Sequence, residues 1–251
     1  MSYVDIAGLR TWHEIDGTGD PVVLLHGAFG GASSWFRQRP DLIAAGFRVH
    51  LPERRGHLHT PDVAGPLTYS VMADDTIAYL DEIVDGPAHL VGWSDGAVVG
   101  LLVAQRRPDL VNRLVLIGQY YNSAGKAPGA MDADSFEIDS DVVRFLRQEY
   151  DAVSPDGPDH FPVVFAKTVE MIRTEPEIDL AAISGVGAET LVLQGDRDEV
   201  TVAHSLAVVA AIPNARLAVL PGSHVLPIES PGVVNPLLVN FLQDGPPRPF
   251  F

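Results

Sequence analysis

The chain has 251 residues, 46% hydrophobic and 20% charged, with 17 basic residues against 33 acidic ones for a net charge of −16. That size and balance fit one large globular domain, and the negative charge argues against nucleic acid and anionic membrane surfaces as partners and disfavours strongly anionic substrates. The absence of cysteine excludes disulfides, thiolate metal sites and a cysteine nucleophile and suits a cytoplasmic location; no secretory pattern opens the sequence, and no apolar run reaches membrane-spanning length.

In chain order, residues 3–6 and 11–15 read as a strand pair around Ala7-Gly8. Residues 21–25, Pro-Val-Val-Leu-Leu, form a continuous apolar run, as in a strand covered on both faces. A strand at 47–51 follows, then a helix over 69–84 with apolar positions at Val71, Met72, Ile77, Leu80, Ile83 and Val84. Next come a strand at 88–91, a helix at 97–105 and a strand at 114–117. Residues 120–185 differ in texture: they carry 13 acids and 5 basic residues, and the pattern predicts helices at 141–152 and 161–174. The strand–helix alternation resumes with 190–194, 204–211, 216–220 and a last helix at 233–242. Alternation of this kind predicts an α/β fold, a mostly parallel sheet with helices on both faces. Residues 1–119 and 186–251 are assigned to its core and 120–185 to an inserted helical cap. The closing Gly-Pro-Pro-Arg-Pro-Phe-Phe reads as a poorly structured tail unless it docks elsewhere.

Within this frame, Gly92-Trp93-Ser94-Asp95-Gly96 lies between a predicted strand and a predicted helix. That is the context in which G-x-S-x-G forms a nucleophile elbow, a strained turn that presents the serine hydroxyl above the sheet edge. A serine hydroxyl needs a base, and the base needs an orienting carboxylate. In doubly wound sheets such groups lie on loops after the strands' carboxyl ends. The strand at 190–194 leads into Gly195-Asp196-Arg197-Asp198-Glu199, which offers three carboxylates, and the strand at 216–220 leads into Pro221-Gly222-Ser223-His224. His224 is therefore the candidate base. Acyl transfer also needs two N–H donors for the developing oxyanion. The Asp95 N–H is one candidate, and the loop Leu25-His26-Gly27-Ala28-Phe29-Gly30 supplies the other at Ala28.

Leu25-His26-Gly27-x-x-Gly30, Arg55-Gly56-His57, Gly92-x-Ser94-x-Gly96, Gly195-Asp196-x-Asp198 and Pro221-Gly222-Ser223-His224 together resemble the α/β-hydrolase superfamily in order and spacing over nearly the whole chain. The resemblance implies the α/β-hydrolase fold and places the triad acid at Asp198. The strand before Gly118-Gln119-Tyr120-Tyr121-Asn122, where some members carry the acid, is followed by no carboxylate before Asp132. Two departures bear on one pocket wall: Glu53 stands where many members have Asp before the Arg-Gly-His segment, and Leu58 where many have Gly after it. The Gly-Trp-Ser-Asp-Gly elbow is similar to that of valacyclovir-hydrolase-like proteins. This implies that the Asp95 carboxylate binds the α-amino group of an amino-acid ester; capping of the following helix is the alternative role.

The reading implied is a serine hydrolase that cleaves a small carboxylic ester through an acyl-enzyme, with Ser94, Asp198 and His224 catalytic and Asp95, Phe29 and Trp93 at the substrate. It requires no cofactor and no metal, and its partner is a small-molecule ester. Carbon–carbon bond hydrolases, lactonases, amidases and perhydrolases use the same triad, and a ligand-binding protein of low turnover is a further alternative. Of the nine histidines, His26 and His57 are expected to brace the oxyanion loop. His57 and His59 lack a third metal ligand at useful spacing, and His160 is a possible pocket residue. Tyr120, Tyr121, Phe136, Phe145, Phe161 and Phe165 are possible lining residues, with an apolar core inside the insertion as the alternative for most of them. Oligomeric state is not legible.

Overall fold

The run at 21–25 is buried on both sides of one sheet. Strand β3 (Pro21–Leu25) sends Val22 and Leu24 to one face and Val23 and Leu25 to the other, each at most 1% exposed, as the period of two requires. The computed structural model describes residues 1–130 and 140–243, and the closing tail at 245–251 lies outside them. Around β3 lie β1 (Ser2–Ile6), β2 (Leu9–Gly17), β4 (Arg48–Pro52), β5 (Ala88–Trp93), β6 (Val111–Ile117), β7 (Glu189–Gly195) and β8 (Ala215–Leu220). They form one eight-stranded sheet in the order β1-β2-β4-β3-β5-β6-β7-β8. The β1–β2 and β2–β4 pairings are antiparallel, and the remaining pairings are parallel.

Helices cover both faces. On one side α2 (Tyr69–Tyr79), α3 (Asp95–Arg106) and α6 (Val202–Ala211) close a core with Val23, Leu25, Leu90, Leu114, Leu116 and Val192. On the other, α1 (Arg39–Ala44) and α8 (Pro231–Gln243) bring Leu42, Val234, Leu238 and Phe241 onto Val22, Leu24, Val49, Val91, Val115 and Leu193. The sequence pattern misses α1, whose six residues are too few to show a period. The helix expected over 69–84 continues past Tyr79 as a π-helical turn, Leu80–Val84, and stops at Asp85 with φ 58°.

Between β6 and β7 run α4 (Asp141–Val153) and α5 (Phe161–Thr174). Val143, Tyr150, Phe161, Val164 and Phe165 form a separate apolar cluster that takes in Leu58 and Phe29 from the sheet half. A polar fastening lies beside it: Asp62, on the connection from β4 to α2, accepts from Lys167 Nζ at 2.6 Å and from His160 Nε2 at 2.9 Å. A short helix α7 (Leu226–Glu229) follows β8.

Candidate active site

Three strand ends converge on one cavity. β5 ends at Trp93, and Ser94 turns the chain into α3 with φ 54° and ψ −120°, a region that costs a residue bearing a Cβ about 1–3 kcal/mol. Its N–H donates to Ile117 O at 2.8 Å, which fixes the turn to β6. The flanking glycines are obligatory here: a Cβ on Gly92 would lie 2.2 Å from Gly96 O, and one on Gly96 would lie 2.0 Å from Leu25 O.

Ser94 Oγ lies 2.9 Å from His224 Nε2, and His224 Nδ1 lies 2.8 Å from Asp198 Oδ1. An ionised carboxylate only accepts, so Nδ1 carries the ring proton, Nε2 keeps a lone pair, and the Ser94 hydroxyl donates to it. The side chains of Asp198 and His224 are 1% and 14% exposed. Burial pulls the His224 imidazole down, but the hydrogen bond and charge of Asp198, with Glu199 and Asp95 beyond it, outweigh that and hold it above its ordinary 6.5. Of the three carboxylates after β7, Asp198 meets the ring. Asp196 instead accepts from Gly222 N at 2.9 Å, bracing the histidine loop, and Glu199 lines the cavity.

The cavity over Ser94 encloses about 590 Å³, and Ala28, Phe29, Trp93, Asp95 and His224 all line it. The Asp95 N–H, first in α3, has no intrahelical acceptor. Phe29 stacks on Phe165 at 5.4 Å. Trp93 also acts beyond the cavity wall, since its Nε1 donates to His224 O at 2.8 Å and so pins the loop that carries the imidazole.

The loop after β3 is braced by His26 and by a residue that the sequence pattern does not single out, Arg54. His26 Nδ1 donates to Gly27 O at 2.8 Å while its Nε2 accepts from Arg54 N at 3.1 Å. Arg54 Nη2 donates to the same carbonyl at 3.0 Å. The bracing role expected of His57 is corrected: its Nδ1 donates to Arg55 O at 2.9 Å, and it meets His26 only ring to ring, at 5.0 Å. His160 pairs with Asp62 rather than the cavity. His59 pairs with Glu53 at 3.0 Å and stacks on Trp12 at 4.4 Å.

Glu53 and Leu58 do not line the cavity. Buried Glu53 accepts from Ala32 N and His59 N, joining two loops, and Leu58, with φ 44°, packs into the apolar cluster under α4 and α5. Among the aromatic candidates, Tyr120 and Phe145 line the cavity. Tyr121 stacks on His204 at 3.8 Å, Phe161 and Phe165 are buried in the apolar cluster of α4 and α5, and Phe136 falls outside the described residues.

Asp95 is 1% exposed. It stands in the first turn of α3, where a carboxylate suits the helix N-terminus; Oδ1 accepts from Tyr69 OH at 2.7 Å, and Tyr69 OH meets Tyr120 OH at 2.7 Å. Tyr69 spends its one proton on the carboxylate, so Tyr120 is the donor in the second bond. Oδ2 is buried without a protein partner. Burial raises the Asp95 carboxyl, and the charge of Arg54 and the Tyr69 hydroxyl offset only part of that rise. Neither Tyr69 nor Arg54 carries a sequence signal of this role, although Arg54 adjoins the Arg-Gly-His segment. Gly118 is a further positional residue: at φ 59°, a Cβ there would lie 2.9 Å from His224 Cε1.

A serine hydroxyl, an imidazole and a carboxylate in a hydrogen-bonded row, at the carboxyl ends of parallel strands, define the serine-hydrolase class of α/β proteins. The sequence profile of the alpha/beta hydrolase family matches residues 22–237, and the chain belongs to that family. It is 27% identical to the pyrrolizixenacetamide deacetylase of Xenorhabdus hominickii, over 96% of this chain and 98% of that protein. It is 28% identical to the 2-hydroxymuconate semialdehyde hydrolase of a Pseudomonas species, over 77% and 76%. The fold also matches the meta-cleavage product hydrolase CumD of Pseudomonas fluorescens, with TM-score 0.78, 24% identity and coverage of 96% and 97%. The enol-lactonase of Burkholderia xenovorans matches with TM-score 0.77, 24% identity and coverage of 96% and 100%. Among the described residues no helix is long and apolar enough to cross a membrane.

Proposed function

We propose that the protein hydrolyses a carboxylic ester through an acyl-enzyme on Ser94. Ser94 Oγ attacks the ester carbonyl as its proton passes to His224 Nε2, and Asp198 holds the ring and stabilises the imidazolium. The N–H groups of Ala28 and Asp95 take the oxyanion. Collapse of the tetrahedral intermediate expels the alcohol, protonated by His224. Water then gives its proton to His224 and attacks the acyl carbon, releasing the acid and restoring Ser94. The segment between β6 and β7 serves as the cap that shapes the substrate cavity. The observation that carries the reading is the row Ser94–His224–Asp198, spaced 2.9 and 2.8 Å. A burst of p-nitrophenol equal to the enzyme concentration, followed by slower turnover, is the expected result with p-nitrophenyl acetate. Neither phase in wild type, or both phases surviving in Ser94→Ala, contradicts it. Enol lactones, meta-cleavage products and 2-hydroxymuconate semialdehyde belong in the same substrate panel, since two fold neighbours and a relative carry those words in their names.

An amino-acid ester is a narrower form of the same reading. Asp95 supports it: the residue lines the cavity, and its buried Oδ2 has no protein partner; an ammonium group fits such an acceptor. The discriminating measurement is kcat/KM for an α-amino ester against its des-amino analogue. A preference for the amino ester that vanishes in Asp95→Asn supports it, and equal values unaffected by the substitution remove it.

A further inference from the structure

Large apolar side chains exposed singly on a protein surface need no explanation, but a group of them around one opening does. Phe36, Val142, Phe145, Val225 and Ile228 are between 37% and 68% exposed, and all five line the cavity over Ser94. They come from three separate parts of the chain. Phe36 follows β3, Val142 and Phe145 sit on α4, and Val225 and Ile228 follow His224.

Helix α4 shows how the opening is built. One apolar stripe, Val143 and Tyr150, is buried at 4% and 3% exposure against Phe161 and Val164. A surface helix needs only one such stripe to dock. A second, Val142, Phe145 and Leu146, runs at i, i+3 and i+4 along the cavity wall, with Glu149 one turn further on. Val142 and Phe145 leave much of that stripe in water. Its docking is already accomplished by the first stripe, so the second has no packing role that keeps it apolar.

A cavity of about 590 Å³ is the size of those that hold drug-sized ligands, well beyond the needs of an acetyl ester. Among the described residues no lysine or arginine lines it, whereas Glu149 and Glu199 do. An anionic tail is unwelcome there, and the net charge of −16 works against docking on an anionic membrane.

We infer that the substrate carries a long hydrocarbon chain on its scissile carbonyl, too long for the cavity to enclose, whose outer part lies on the rim of Phe36, Phe145 and Ile228. This rests on the acyl-transfer reading for the placement of the carbonyl at Ser94. The chain leaves water twice, first in the cavity and then along the rim, so selectivity grows with length.

The test is kcat/KM on p-nitrophenyl esters from acetate to dodecanoate, each below its solubility limit. The expected result is a rise of up to about fourfold per methylene removed from water, continuing beyond butanoate. In Phe36→Ser/Phe145→Ser the dodecanoate-to-acetate ratio falls by roughly tenfold or more. Both residues are more than half exposed, so the change opens no core void, and an unaltered thermal midpoint verifies the fold. A rise that stops at butanoate, or an equal loss on short and long esters in the double variant, overturns the inference. Binding of 2-butanone and 2-dodecanone to Ser94→Ala reads the rim without turnover. If no ester is cleaved but ketone affinity grows with length and drops in the rim variant, the chemistry is wrong and the rim stands. If acetate shows its burst but neither series responds to length, the chemistry stands and the rim inference fails. A rate that jumps only when phosphatidylcholine vesicles are added, with the jump lost in the rim variant, assigns the rim to a lipid surface and also overturns it.

Discussion

The two halves of the site are built differently. The sheet half sets Ser94, Asp198 and His224 after the ends of β5, β7 and β8: β5 and β7 are paired on both sides and fill cores on both faces, and β8, the edge strand, is paired along its length with β7. Among the described residues, the α4–α5 part of the segment between β6 and β7 is joined to the sheet half by side chains alone: Leu58 and Phe29 in an apolar cluster, Asp62 between Lys167 and His160, and Met171 of α5 in the core beneath α2 and α3. Atoms that exchange protons need sub-ångström placement, which a paired strand end supplies. A wall that admits and releases substrate needs looser attachment, and elements that move come from the low-stability end of a structure.

The comparison breaks first if chemistry is not confined to the sheet half. His224→Ala is expected to lower kcat by about 10⁴–10⁶-fold, measured by stopped-flow p-nitrophenol release, with the circular dichroism spectrum unchanged. A loss of tenfold or less places the base elsewhere.

Stability sharpens it next. Leu90→Ala, in the fully buried centre of β5, is expected to cost about 2–5 kcal/mol in urea unfolding. Phe161→Ala removes a comparable contact, yet its effect is expected to concentrate in amide exchange across α4 and α5 while β5 and β6 keep their protection. Equal loss of protection in the sheet makes the two halves a single cooperative unit and contradicts the comparison.

Smaller effects come from the polar fastening. Burial raises the Asp62 carboxyl, but hydrogen bonds from Lys167 and His160 outweigh it and hold the group below its usual range. Its contribution is present above the ordinary carboxylate range and is lost as pH falls through the lowered value. Asp62→Asn is expected to cost about 1–2 kcal/mol at neutral pH and to flatten the acid limb of stability against pH. An unchanged acid limb in thermal melts shows that the pair contributes nothing.

The subtlest effect is a titration. The base must be neutral to accept the Ser94 proton, so kcat/KM rises as pH passes through the His224 value, which lies above 6.5 because Asp198, Glu199 and Asp95 favour the imidazolium against burial. Asp95→Asn removes one of those anions and is expected to move the midpoint toward acid. A midpoint below 6.5 in wild type, or one that Asp95→Asn moves upward, contradicts the electrostatics described for the site.

Legibility in the sequence divides along the same line. Strand alternation shows directly in runs such as Val22-Val23-Leu24-Leu25, and the order of Ser94, Asp198 and His224 follows from loops placed after strand ends. What escapes is contact between residues far apart in sequence: Trp93 Nε1 on His224 O across 131 positions, Tyr69 on Asp95 across 26, and Arg54 on Gly27 O across 27. Neither period nor motif encodes such pairs, since each depends on how separate loops and helix ends meet at the carboxyl edge of the sheet. The brace assigned to His57 failed for that reason; Arg54, three residues earlier, reaches the carbonyl instead. Helix α4 was legible as a helix, but its two apolar stripes were not separable until α5 covered one of them.

The central claim is that His224 activates Ser94 for attack. Intact-mass spectrometry after brief exposure to a fluorophosphonate probe tests it most directly. The account predicts a single adduct in wild type, mapping to the peptide that contains Ser94, absent in Ser94→Ala and formed far more slowly in His224→Ala. Labelling elsewhere, or labelling of Ser94 at an undiminished rate without the imidazole, would contradict it.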